Sequence, residues 1–338
     1  MKNTGYAGLS IVLSLAFATP GMSQSAAETA CNQKYTKYYT TQNDAAAFTA
    51  FVDDPTCKDS MYREGAFQLM AKSNVDAMKW KAAVDLSDKM AKDLPNASAN
   101  AKSYVYSQGL IGAGQLGDLD KMIEHGERVM SVKADDLNAM LIVATAIPDK
   151  LSSDAAAKDR DKLLDRSSEL AKKLIATPKP AQIDDKAWQA SVIGPAHGVI
   201  GFVSLQREKF EDAEASYDQA VKVNPKDQMS WYRYGLAATK IAVAAQKLIE
   251  PAYAEVNNNR TPGPERDAAV AKRDAIEKDF NEKATKAIEI LVSAVALPDA
   301  NISKAARGSL ESLWKATHDA KLDGIEDAIA KRKAELSK

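Results

Sequence analysis

The chain has 338 residues, 45% of them apolar and 27% charged, with a formal net charge of -1. That length can bury a substantial core. The 45 Lys and Arg are interspersed with 46 Asp and Glu, so no basic face or tail is offered to a nucleic-acid backbone and no nucleic-acid partner is expected.

Sparse Gly and Pro beside plentiful Ala, Lys, Asp and Glu favour helix, and no long alternating β-branched run argues for a sheet. At the N-terminus Lys2 precedes an apolar run from Tyr6 to Ala18, then Pro20-Gly21 and the small residues Ser23 to Ala27. The run is too short to span a bilayer comfortably. Residues 1–25 are therefore expected to be a cleaved secretory signal, with the cut between Ser23 and Ala27. Cys31 lies too far downstream for lipid anchoring. The expected product is periplasmic or secreted, with no stable membrane span after cleavage. Cys31 and Cys57 are the only cysteines, and in an oxidising compartment such a pair is expected to be bridged; two separate buried thiols are the alternative.

Residues 26–59 read as an N-terminal capping segment. Tyr35, Tyr38, Tyr39, Phe48 and Phe51 stand at helical spacings, which predicts two short helices whose aromatics pack against the next element rather than offer a ligand platform. Residues 60–177 read as degenerate helix pairs. Phe67, Met70 and Ala71 share one face, Trp80, Ala83 and Met90 the next, and Pro95 closes the unit. A further pair turns at Gly117-Asp118. Gly112 to Gly117 spell G-x-G-x-x-G, but a dinucleotide site needs a strand before that motif, and Tyr104-Val105-Tyr106 makes a poor one. These glycines are read as allowing close helix packing, and no cofactor is expected. Leu137 to Pro148 is an apolar helix, followed by a charged partner from Ala155 to Ala176 and a boundary at Thr177 to Pro180.

The second half, residues 181–338, opens with a helix from Ile183 to Leu205 that Gly194-Pro195 is expected to kink or split. Gly201, Ala213, Tyr217, Ala220 and Pro225 follow at intervals that place small residues where two short helices must touch. A second copy opens at Trp231, Tyr234 and Gly235, with 34 residues from Gly201 to Gly235. Ala196 to Lys240 thereby resembles a tetratricopeptide repeat, and Ala71, Ala83 and Pro95 repeat its positions more loosely. The resemblance implies an all-α fold, a right-handed superhelical stack of helix-turn-helix repeats whose first helices line a concave face. It also implies a groove carrying Phe202, Gln206, Tyr232, Leu236 and Lys240. Tyr232 and Leu236 replace the Lys and Asn of the carboxylate clamp in chaperone-binding members, so capture of a charged C-terminal tail is not expected.

The helix opening at Gln228 is expected to run to Val256, meet the breakers Asn257 to Pro264, and return through Phe280 and Leu291 to Pro298. Residues 228–298 thus form an elongated hairpin, read as one repeat with a long insertion at its turn. Ile302 to His318 and Gly324 to Leu336 close the chain as a C-terminal cap.

Little points to catalysis. His125, His197 and His318 are far apart, Glu124-His125 is no H-E-x-x-H, and neither G-x-S-x-G nor a phosphate-binding lysine loop occurs. Asn96-Ala97-Ser98 and Asn301-Ile302-Ser303 are glycan-acceptor triplets of the sort that arise by chance. No catalytic, metal or cofactor residue is expected. The expected function is that of a non-enzymatic exported scaffold or adaptor holding a protein or peptide. The alternative is an accessory or carbohydrate-binding subunit of an envelope enzyme or transport system, using Tyr217, Trp231 and Tyr232.

Overall fold

A computed structural model describes residues 25–40, 45–154 and 156–337. The expected signal segment lies outside them except for Ser25, as does the side chain of Tyr38. Among the described residues every regular element is a helix, and none is long and apolar enough to cross a membrane. In chain order they are α1 (Ala26–Thr40), α2 (Ala45–Asp53), α3 (Arg63–Asp76), α4 (Trp80–Asp93), α5 (Ala99–Leu116), α6 (Leu119–Val132), α7 (Leu137–Ser153) and α8 (Arg160–Ala176). They continue with α9 (Asp185–Trp188), α10 (Gly194–Gln206), α11 (Phe210–Val223), α12 (Gln228–Gln246), α13 (Ile249–Asn258), α14 (Pro264–Ala296), α15 (Ala300–Thr317) and α16 (Ile325–Leu336). Neighbours in sequence pack as neighbours in space from α2 to α8 and from α10 to α12.

Local chemistry sets the boundaries. Ser98, Asp118, Asp136, Asp184, Asp227 and Asp299 cap α5, α6, α7, α9, α12 and α15 by accepting backbone N–H bonds two or three residues on. Gly117 ends α5 at φ 67°, a left-handed conformation that costs glycine nothing.

Cys31 and Cys57 form the expected disulfide, with Cα atoms 5.6 Å apart. It ties α1 to the segment before α3, helped by a Lys34–Asp54 ion pair and a bond from Ser60 Oγ to Glu28. Tyr35 sits against Tyr62 with ring centroids 5.2 Å apart, and Phe51 is buried beneath it at 5.7 Å. Cap aromatics of this kind contribute about 1.5–3 kcal/mol each when buried.

Gly112 and Gly114 of G-x-G-x-x-G lie inside α5 and Gly117 caps its end, so the motif does not follow a strand. A Cβ at Gly112 would come within 2.7 Å of the Trp80 carbonyl, so α5 touches the backbone of α4 there. Gly201 and Tyr217 repeat the device between α10 and α11, where a Cβ would lie 2.9 Å from the tyrosine ring.

Four expectations need correction. The charged partner helix begins at Arg160 rather than at Ala155. The apolar helix continues beyond Pro148 to Ser153. The helix from Gln228 does not reach Val256 unbroken, because Lys247 and Leu248 separate α12 from α13. The helix before Ala196 is not simply split at Gly194: α9 passes into a π-turn at Gln189–Ile193, and α10 then starts with Pro195 in its first turn.

Both α12 and α13 pack along α14, giving the antiparallel hairpin. Its base is latched by Gln228. This buried amide donates to the carbonyls of Ala294, Leu297 and Asp299 and accepts from the Asp299 N–H at 2.7 Å. The core forms two clusters, one carrying Cys31 to Val203 and the other Ala213 to Ile325. Packing of α10 against α7 and α8 crosses Thr177 to Pro180, and the division between clusters falls between α10 and α11.

Candidate functional site

The five residues implied for the groove sit on α10 and α12 with unequal access. Tyr232 and Leu236 are half-buried, Gln206 and Lys240 exposed, and Phe202 only 3% exposed. Gln206 accepts from the Arg160 guanidinium at 2.5 Å, which commits its amide to α8. Phe202 lies under the guanidinium of Arg233, 4.7 Å from its ring centroid, so a ligand here would meet the cation before the ring.

Arg233 is the residue sequence reasoning missed. Its Nη2 donates to Ser152 Oγ at 3.1 Å, so one side chain of α12 joins α7 and α10. Among the described residues no carboxylate lies within 4 Å of it. Ser152 lies 81 residues earlier in the chain; no local spacing announces that meeting. The three helices border an open cleft of about 140 Å³ lined by Thr145, Pro148, Asp149, Val199, Met229 and Arg233. Gly198 lets α10 approach α12, its Cβ position being 3.3 Å from Ser230 Oγ. Burial pushes the Asp149 carboxyl up, and the charge of Arg233 works in the other direction.

Tyr217 is not an exposed aromatic, as the carbohydrate alternative requires, but is wholly buried on α11. Burial raises its phenol, with nearby Arg233 opposing that shift and Asp227 adding to it. Trp231 lines a second, larger cleft of about 670 Å³ between α12, α14, α15 and α16. Its ring is stacked with Tyr234 at 6.1 Å, lies 5.4 Å from the Arg332 guanidinium, and donates Nε1–H to the Pro225 carbonyl. Trp314 is stacked on His318 at 4.4 Å. These rings are already engaged within the protein.

The histidines remain far apart. His197 is half-buried on α10, and burial lowers its pKa. His125 on α6 is fully buried, its Nδ1 2.9 Å from Ser87 Oγ and its Nε2 3.6 Å from Asp88 Oδ1. Serine, histidine and aspartate thus meet, but neither Ser87 nor His125 has any solvent exposure. A Cβ at Gly109 would lie 2.5 Å from Ser87 Cβ, so α5 seals the group and no substrate reaches it. Burial depresses the His125 pKa to about 4, with Asp88 opposing and Arg128 adding to the shift. Burial also works against the Asp88 carboxylate, but hydrogen bonds from Lys121 and Arg128 outweigh it and hold that carboxyl below its ordinary range. Among the described residues no cluster of three or more His, Cys, Asp or Glu could hold a metal ion.

No known family model matches the chain, and no curated protein matches it.

Proposed function

We propose that the chain is an exported scaffold of the tetratricopeptide type, holding another polypeptide along the face shared by α7, α10 and α12. The observation that carries the reading is the recurrence of one helix contact. Gly201 lies against Tyr217, and Gly235, one repeat later, lies against Leu291, with a Cβ there only 2.4 Å from the leucine side chain. Helices joined through the same position stack with the same face turned outward, and repetition of that face makes an extended binding surface. Tyr232, Leu236 and Lys240 share one side of α12 and remain at least partly accessible. An apolar and aromatic strip with a lysine beyond it suits a peptide or partner helix. The Cys31–Cys57 disulfide and the lack of a membrane-crossing helix among the described residues fit an extracytoplasmic location.

The reading is tested by placing a photo-crosslinking residue at Tyr232, at Arg260 on the hairpin tip and at exposed Gly308 on α15. A discrete polypeptide adduct from position 232 and none from 308 is the expected result. Equal labelling from all three positions, or none from 232 in the native envelope, would overturn it.

A further inference from the structure

We infer that the C-terminal helix α16 is exchanged between two copies of this chain, so that each copy's α16 docks on the α14 of the other. The hinge that folds α16 back, His318 to Gly324, runs against its own sequence. Asp319 and Ala320 are both left-handed there, at φ 50° and 63°, a conformation that alanine has no side-chain hydrogen bond to repay. The Ala320 N–H reaches the Lys315 carbonyl at 3.0 Å and closes the end of α15 at a position where a glycine ordinarily stands. From His318 to Asp323 the hinge holds neither glycine nor proline. Ala320, Lys321 and Leu322 are instead among the strongest helix formers.

The arrangement that local preference favours is a straight hinge, with α15 running on into α16 as one helix from Ala300 to Leu336. The left-handed strain at Ala320 then disappears. A straight helix also carries α16 away from its own α14. Arg307 and Glu326, paired in the folded-back form, are 19 residues apart and would stand about 28 Å from each other at ~1.5 Å per residue.

The independent observation is how α16 is held. Ile325 is its only buried residue, and no side chain caps its first turn. Its polar ties are the Glu326–Arg307 pair and a bond from Arg332 Nε to the buried Ser293 Oγ at 2.8 Å. Beneath it lies the cleft of about 670 Å³, so the helix covers Ile288, Val292 and Trp314 without filling the space above them. Leaving that apolar face uncovered exposes it to water. The residues that complete it are particular to α16: Arg332 answers Ser293 and the Trp231 ring, and Glu326 answers Arg307. The occupant that reproduces these contacts is the same helix from a second copy. Exchange keeps the contacts of α16 and releases the hinge strain in both chains.

Sedimentation of the full chain from micromolar to millimolar concentration tests the inference, with a monomer–dimer equilibrium as the expected result. Gly324→Ala strains a residue held at φ 84° in the folded-back form and removes a weak point from the straight helix; it should tighten the dimer at least tenfold. Ala320→Gly relieves the folded-back hinge and weakens the straight helix, and should loosen the dimer by a similar factor. In an equal mixture of Arg307→Cys and Glu326→Cys chains, a short bismaleimide should join the dimer into a species of doubled mass, which neither variant alone should give. Monomer at every concentration for both the native sequence and Gly324→Ala would overturn the inference. So would hinge variants that shift the equilibrium in the same direction, or a dimer from the mixture with no cross-link between its chains.

Discussion

Ser167 on α8 donates its hydroxyl to the Ala144 carbonyl at 2.8 Å, and Ala144 is the residue four places before Pro148. A proline inside a helix removes the N–H that would reach that carbonyl. Here a serine from the neighbouring helix supplies the missing donor, which is why α7 continues to Ser153.

Ser167→Ala should therefore cost about 1–3 kcal/mol, since it strands a buried acceptor. Pro148→Ala restores a backbone donor. The two changes combined should destabilise less than the sum of their separate effects, by about 1 kcal/mol or more. Urea denaturation of the four proteins of this cycle measures the coupling; strict additivity would show that Ser167 does not compensate for the proline.

The glycines divide into two kinds. A Cβ at Gly235 would come within 2.4 Å of Leu291 Cδ2 and 2.8 Å of its Cγ, whereas one at Gly308 meets nothing within 4 Å. Gly235→Ala should destabilise by about 1–3 kcal/mol through overpacking. Gly308→Ala, in the interior of α15, should stabilise by about 0.5–1 kcal/mol. Thermal melts of the two variants should shift in opposite directions.

Reduction of Cys31–Cys57, or Cys31→Ser, should lower stability by about 3 kcal/mol, from the entropy that the cross-link removes from the unfolded chain. Because α1 has few other partners, limited proteolysis should then cut first before Arg63. Cleavage appearing first within α10 to α12 would contradict this.

The buried imidazole of His125 gives stability a pH dependence. It stays neutral in the folded chain until about pH 4, against its usual 6.5. Between those values the unfolded chain binds a proton that the folded chain does not, so stability falls as pH drops through this window and is unaffected by this group above it. The loss approaches about 3 kcal/mol at the acid end. The charged groups around the ring are Asp88 on α4 and Lys121, Glu124 and Arg128 on α6. His125→Gln should remove this step, checked by urea midpoints at about pH 7 and about pH 5; an unchanged pH profile would show that another group is responsible.

Much of the architecture was legible without coordinates, because capping and packing are local rules. Gly117-Asp118 and the run from Asn257 to Pro264 mark real helix ends. The spacing of Gly201, Ala213 and Tyr217 anticipates a real helix contact. The candidate site was less legible. Phe202 and Tyr217 look like available aromatics in a repeat pattern, yet both are buried.

The sequence alone pointed to a helical chain, to several of its helix ends and to a bridge between its two cysteines, since those outcomes depend largely on neighbours within a few turns and on a lone pair in an oxidising compartment. Tertiary structure alone decided what is accessible and which distant groups meet: Arg233 with Ser152, His125 with Ser87, Ser167 with the carbonyl that Pro148 leaves open. Side chains tens of residues apart are brought together by helix packing, and helical periodicity carries no record of which of them will share a cavity.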